Sequence, residues 1–392
     1  MRKHKYTLFT LTILMAFASQ DARPQNNADT PYPTEEKVLF AQVVPFSASK
    51  LLFGGFLSSE IDGYYQPVDG TSNILLEETA LALQVGAEIS DHLRIFATIE
   101  FSHEAEMDSV NYSSRSFGEY HDETALNIAF LEYTFSDNLQ LRFGRQVTPF
   151  GRFNTLYYDP VLKAHHLPLF IIKGDETLTK NGHSHGDTSN TGHILGRMID
   201  QEIQGIELLG RKILGNSVFG YHIYTGSFSH HLHAVGVGGR LFWSTINDEI
   251  ILGTSFQTTP ATMGHTSIDV DLSVDLDRWG FISEAIFAIN HSGNHKSGFI
   301  VEPYVMISDN WLVFAQVDYI NQEVLASGKD YQHAHTTVEV METGGGINYV
   351  PSASVRYRME VYWQKYLDEE EMGHEIVSRD YLNFTVSATV SF

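Results

Sequence analysis

Cysteine is missing from all 392 residues, which excludes a disulfide framework, thiolate chemistry and any lipid attached through an N-terminal cysteine. Basic residues are scarce, 25 Lys+Arg against 48 Asp+Glu, for a formal net charge of −23. Nucleic acid and anionic lipid are drawn to basic surfaces, so neither is the main partner, whereas cationic solutes are permitted. Beyond the first twenty positions no run of eighteen apolar residues occurs, which excludes helical membrane spans. Proline is sparse at 11, while 31 glycines and 12% aromatic content suit a chain of many strands.

The first eighteen residues read as a secretory signal: Arg2, Lys3 and Lys5, an apolar core from Leu8 to Phe17, and a small-residue cleavage site at Ala16 to Ala18. Its removal would take three basic residues and no acids, leaving 22 against 48 and a net charge of about −26. Residues 19–48 form a polar, proline-containing segment, with one apolar patch from Val38 to Phe46 that fits a short strand or a plug. Residues 49–392 read as one unit.

That unit predicts sixteen strands, at about 50–58, 74–89, 92–103, 123–135, 139–148, 203–211, 217–226, 235–244, 249–257, 266–276, 279–289, 297–307, 311–320, 337–349, 354–365 and 380–392. Their period is two. Leu93, Ile95, Ala97, Ile99 and Phe101 alternate with Arg94, Phe96, Thr98 and Glu100; Ile268, Val270, Leu272, Val274 and Leu276 alternate with Asp269, Asp271, Ser273 and Asp275. Strands of about 9 to 13 residues with one oily and one wet face match a closed antiparallel transmembrane barrel around a wet lumen, in which closure satisfies every backbone group. Tyr133, Phe135, Trp243, Trp279, Trp311, Tyr319, Trp363 and Phe392 stand near strand ends, where membrane girdles lie.

The connections alternate too. Short turns such as SDH at Ser90, SDN at Ser136 and Ser308, GN at Gly215 and PSA at Pro351 carry tight-turn chemistry. Long connections at 59–73, 104–122, 149–202, 227–234, 258–265, 290–296, 321–336 and 366–379 separate them. One miscounted strand would break that order.

On these features the chain resembles the sixteen-stranded porins of Gram-negative outer membranes, over roughly residues 50–392 and including the terminal aromatic of NFTVSATVSF. GRQVTPFGRFN, with LRFGRQ ahead of it, is similar to a strand-end pattern of the phosphate-selective porin group, although this chain departs from the lysine-rich lumen that such selectivity requires. The resemblance implies an outer-membrane location, contact with outer-membrane lipid, homotrimers, and a third outer loop, here 149–202, that folds into the lumen and narrows it. Arg152, Tyr157, Tyr158, Asp159, Asp175 and Glu176 would form that constriction.

Read from the alternation, Arg94, Arg142, Arg240, Arg356 and Arg358 point inward, as do Glu100, Asp269, Asp271, Glu302, Asp318 and Glu360 together with Glu78, Glu88, Glu207 and Glu284. Arg94, Arg142, Arg356 and Arg358 should form a basic wall facing loop acids. Inward acids outnumber arginines by two to one, so a water-filled channel for small hydrophilic solutes should prefer cations weakly.

Fifteen of the 19 histidines fall in the long connections, the exceptions being His4, His92, His103 and His222. His183, His185, His193, His231 and His233 could hold zinc or another divalent metal; no other cofactor is expected. A receptor or adhesin using the loops, or a divalent-metal-binding channel, is the alternative class. An enzyme is not expected, because no G-x-S-x-G nucleophile elbow stands out.

Overall fold

The computed structural model describes residues 44–45, 51–66, 71–105, 120–136, 138–156, 168–172, 177–178, 193–194, 198–228, 235–260, 264–290, 293–325, 335–367 and 380–392. Sixteen strands build one ring. They are β1 (Leu51–Gln66), β2 (Thr71–Ser90), β3 (Leu93–Ala105), β4 (Tyr120–Ser136), β5 (Leu139–Val147), β6 (Glu202–Leu214), β7 (Ser217–Phe228), β8 (Val235–Thr245), β9 (Ile250–Thr258), β10 (His265–Leu276), β11 (Trp279–Asn290), β12 (His295–Ser308), β13 (Trp311–Leu325), β14 (His335–Ser352), β15 (Val355–Tyr366) and β16 (Tyr381–Ser391). Each pairs antiparallel with the next, and β16 returns to β1, with Leu382 opposite Tyr65 and Ser391 opposite Phe56. Two backbone hydrogen bonds of 3.0 Å between Gly55 and Phe392 complete the seam. The chain is thus the closed sixteen-stranded antiparallel barrel that the period-two pattern predicts.

The two faces follow that pattern. Along β9, Ile251, Gly253, Ser255 and Gln257 are buried while Leu252, Thr254 and Phe256 are exposed. Along β12, Lys296, Gly298, Ile300, Glu302, Tyr304 and Met306 are buried while Phe299, Val301 and Val305 are exposed. Exposed outward residues such as Phe143 (62%), Leu241 (61%) and Phe287 (64%) recur around the ring. So wide an apolar surface is stable only where lipid covers it. At the short-turn end the outward aromatics interlock, Trp311 with Tyr349 at 4.7 Å and Tyr133 with Phe135 at 4.7 Å between ring centroids.

Strands are longer than their hydropathy suggests, up to the 20 residues of β2. The long connection expected at 59–73 shrinks to 67–70, because β1 runs on through Glu60 and Asp62 past a bulge before Ile61. Backbone pairing continues past the last alternating side chains, so polar strand ends read as loop. His265, expected in a long connection, is likewise the first residue of β10. Of the apolar patch at 38–46, Val44 and Pro45 form a two-residue strand opposite Phe53 and Leu52.

The inner wall has its own joinery. Tyr224, Phe242, Tyr304, Phe314 and Tyr362 lie over glycines directly paired with them on the adjacent strand, Gly238, Gly220, Gly280, Gly346 and Gly344. A Cβ on any of these glycines would collide with the ring. Gly344→Ala should therefore force Tyr362 off its wall position and cost about 1–3 kcal/mol. Gly86, whose added Cβ would meet nothing closer than 3.4 Å, should tolerate alanine better. Heat-dependent mobility of the folded barrel in detergent gels measures both; equal melting of the two variants contradicts the packing.

Candidate functional site

The inner face of the barrel carries what the outer face cannot: charged side chains, some of which bond described parts of the connection between β5 and β6. Val147 pairs with Glu202, and beyond it the Thr148 amide donates to the Gln201 carbonyl at 2.8 Å. Asn154 Nδ2 donates to the carbonyls of the same two residues, Thr148 at 2.7 Å and Gln201 at 3.2 Å. Both ends of the longest connection are clasped together where they leave β5 and rejoin β6.

From this clasp the described parts of the connection reach strands far round the ring. Gly151, at φ 64°, donates its amide to Ser255 Oγ of β9 at 2.9 Å. A Cβ there would run into the Glu284 carboxylate, so glycine supplies both the left-handed turn and the space. The next two amides, of Arg152 and Phe153, converge on Glu284 Oε2 of β11 at 2.8 and 2.9 Å. The Leu169 amide donates to Asp318 Oδ2 of β13 at 2.5 Å, where a short helix, α1 (Leu169–Ile172), begins. On the way back, Ser267 Oγ of β10 donates to the Met198 carbonyl at 2.5 Å. Asp200 Oδ2 accepts from Gln257 Nε2 at 2.9 Å and Thr259 Oγ1 at 3.2 Å, with buried His265 Nε2 at 3.8 Å.

An apolar cluster surrounds these bonds. Phe150, Phe153, Leu156, Leu169, Phe170, Ile171, Met198 and Ile199 pack with Ile282, Ile286, Ala288, Ile300, Ile320 and Val340 of β11 to β14. Burying one such side chain stabilises by roughly 1.5–3 kcal/mol, more than the net ~0.5–1.5 kcal/mol of an ordinary hydrogen bond. The apolar contacts hold the segment and the carboxylates set its register.

The charges are organised laterally. Glu132 Oε1 meets Arg94 Nη2 and Glu132 Oε2 meets Arg142 Nε, both at 2.5 Å. Arg142 Nη1 reaches Glu207 Oε2 at 3.4 Å, and Glu207 Oε1 lies 2.6 Å from His222 Nδ1. One ladder of alternating sign thus crosses β3, β4, β5 and β6 and ends against His222 of β7. It borders a cavity of about 620 Å³ whose walls come mainly from β3 to β8 and include Phe130, Arg211 and Phe242. Arg240 clasps Asp271 with two nitrogens, at 2.8 and 2.9 Å.

Arg94 and Arg142, expected in a basic wall, are therefore compensated by carboxylates of neighbouring strands. Arg358 is buried and Arg356 half-buried, both inward. Asp269, Asp271, Glu302, Asp318 and Glu360 lie at 2% exposure or less on the inner face, and Glu100 accepts from Asn127 Nδ2 at 2.6 Å. Arg152 is buried in the turn over Glu284. Tyr157, Tyr158, Asp159, Asp175, Glu176, His183, His185, His231 and His233 lie outside the described residues; so does the side chain of His193, whose backbone joins a two-residue ribbon with Leu178. Among the described residues no three acidic or histidine side chains are placed to hold a metal ion.

The alternation missed the apolar seat. Its signal is the segment Phe281–Ile289, which is apolar on both faces apart from Ser283 and Glu284, a pattern that requires a partner on the inner side as well as lipid on the outer.

No protein-family model matches the chain, and no curated protein is similar to it. Solved structures are. An anion-selective porin from Comamonas acidovorans aligns over 87% of this chain and 99% of its own, with TM-score 0.55 and 11% identity. OmpF of Salmonella typhi, solved with daunomycin, aligns over 87% and 97%, with TM-score 0.55 and 13% identity. Outer-membrane-expressed OmpT of Vibrio cholerae aligns over 89% and 100%, with TM-score 0.53 and 11% identity. At such identities the likeness is one of fold: this is a porin-like barrel.

Glu284→Ala should strand the Arg152 and Phe153 amides at a cost of about 2 kcal/mol, which is roughly thirtyfold in local opening. Limited proteolysis of the folded barrel should then cut within 149–202 correspondingly faster. Cleavage at the parent rate would show that the carboxylate does not hold the turn.

Proposed function

We propose that the chain is a channel of the Gram-negative outer membrane, exported by the signal at residues 1–18, through which small hydrophilic solutes diffuse. The observation that carries this reading is a closed sixteen-strand ring with charged and polar groups on its inner face and an open cavity beside the Arg94–Glu132–Arg142 ladder. A ring of that size is wider than its own wall side chains fill, and a water-filled lumen is the physical use of such a face. The inner groups are paired or engaged in packing rather than set up around a nucleophile, which supports transport over catalysis.

In this reading the connection at 149–202 narrows the pore. β13 lies eight strands from β5 in the ring of sixteen, so a backbone that departs at β5 and bonds Asp318 is best explained by passage across the lumen. Selectivity follows from the excess of inward acids over arginines. Asp269, Glu284, Glu302 and Asp318 face, across the ring, a ladder whose arginines are already compensated, and that excess favours cations weakly. Assembly as a homotrimer belongs to the same reading; a trimer form is described for OmpT of Vibrio cholerae.

Planar-bilayer recording tests both points. Purified protein should form discrete conducting steps, with a reversal potential in a salt gradient that is modestly cation-directed; clear chloride preference would reverse the electrostatic claim. Replacing residues 157–197 by a short glycine–serine linker should raise single-channel conductance several-fold, and an unchanged conductance would remove the loop from the pore. A folded barrel with no conductance at all would favour a receptor.

A further inference from the structure

The charge ladder ends on its one titratable ring. His222 stands midway along β7 on the inner face, opposite Arg240 of β8 and Leu209 of β6, and it lines the cavity. Its Nδ1 lies 2.6 Å from Glu207 Oε1, and its ring centroid lies 6.0 Å from that of Phe242. An ionised carboxylate can only accept, so Nδ1 carries the hydrogen and Nε2 is the basic atom. With the side chain 21% exposed, Nε2 is the nitrogen left to lumen water.

The ladder turns its cations, not its anions, towards the cavity. The Glu132 and Glu207 side chains are 0% and 2% exposed, against 30% for Arg94 and 16% for Arg142. Two arginines match two carboxylates, so the ladder is formally neutral with a neutral His222 and carries one positive charge with a protonated one. The groups that face the ring from its own side of the cavity are Glu207 and Arg211 of β6, Arg142 of β5 and Arg240 of β8, the last already clasped by Asp271. Further round the wall stand Arg94 of β3, Glu88 of β2, Asp91 and His92 of the turn between them, and Asp248 of the turn after β8. Four arginines and four carboxylates therefore line the cavity, and histidine decides its sign.

We propose that Nε2 of His222 binds the proton that sets the charge of this wall. In mild alkali the wall is balanced, and the acids of β10 to β13 across the ring give the lumen its weak preference for cations. In mild acid the wall becomes net positive and the preference moves towards anions. The selectivity part of this inference rests on the channel reading of the barrel.

The full chain in planar bilayers, under a potassium chloride gradient, should lose about threefold in its potassium-to-chloride permeability ratio between about pH 8 and about pH 5.5. His222→Gln should keep most of its alkaline ratio across that interval. His92→Gln, on the turn between β2 and β3, should titrate like the parent. A ratio that does not move in the parent, or that falls equally in His222→Gln, overturns the proposal. Diethyl pyrocarbonate, which acylates unprotonated imidazole, reads the same proton without conduction. Peptide mass spectrometry of the folded barrel should find His222 acylated several-fold faster at the higher pH, and a His222 that resists at both values, or reacts equally at both, is equally decisive against it. A barrel in which His222 titrates but no current flows would defeat the channel reading and leave the proton site standing.

Discussion

Inside lipid a backbone amide has no partner except another backbone group, and this one constraint shapes the molecule. It forces the ring to close, which the paired bonds between Gly55 and Phe392 do at the seam. It lets strands lengthen freely beyond the membrane, since pairing there costs nothing in side-chain chemistry, as in the extended β1–β2 hairpin. It also sets the circumference: sixteen strands enclose more space than wall side chains fill.

The interior then solves a different problem, that of holding charge. Lateral pairing does most of this. Glu132 is shared by Arg94 and Arg142, and Arg240 is held by Asp271, so few inward cations act alone. Breaking one partner of such a buried pair leaves its mate uncompensated, which costs more than the pair contributes when intact. The carboxylates of β11 and β13 have a second use, as acceptors for backbone amides of the longest connection. A charge count alone, taken from the sequence, treats all of these groups as equivalent.

That difference marks what was legible in advance. Strand number, order and inner or outer face followed from period-two alternation, because each is a local property of side chains against lipid. Strand ends were less legible, as Glu60, Asp62 and His265 show, because pairing outlasts hydropathy. The inward orientation of Arg94 and Arg142 was readable, but their compensation by Glu132 was not, since it depends on which strands are neighbours and in what register. Least legible was the apolar seat of Ile282, Ile286, Ile300 and Ile320, whose partners lie more than eighty residues away in the connection after β5.

The seam between β1 and β16 also orders events in time. The first strand to be synthesised must wait for the last, with Phe392 itself supplying both the donor and the acceptor of the final rung. No shorter chain can seal the ring in the native way, so every nascent intermediate carries two open strand edges and a lipid-seeking face. A protein built like this cannot mature as it is made. Its ring closes in one late step, when β16 meets β1.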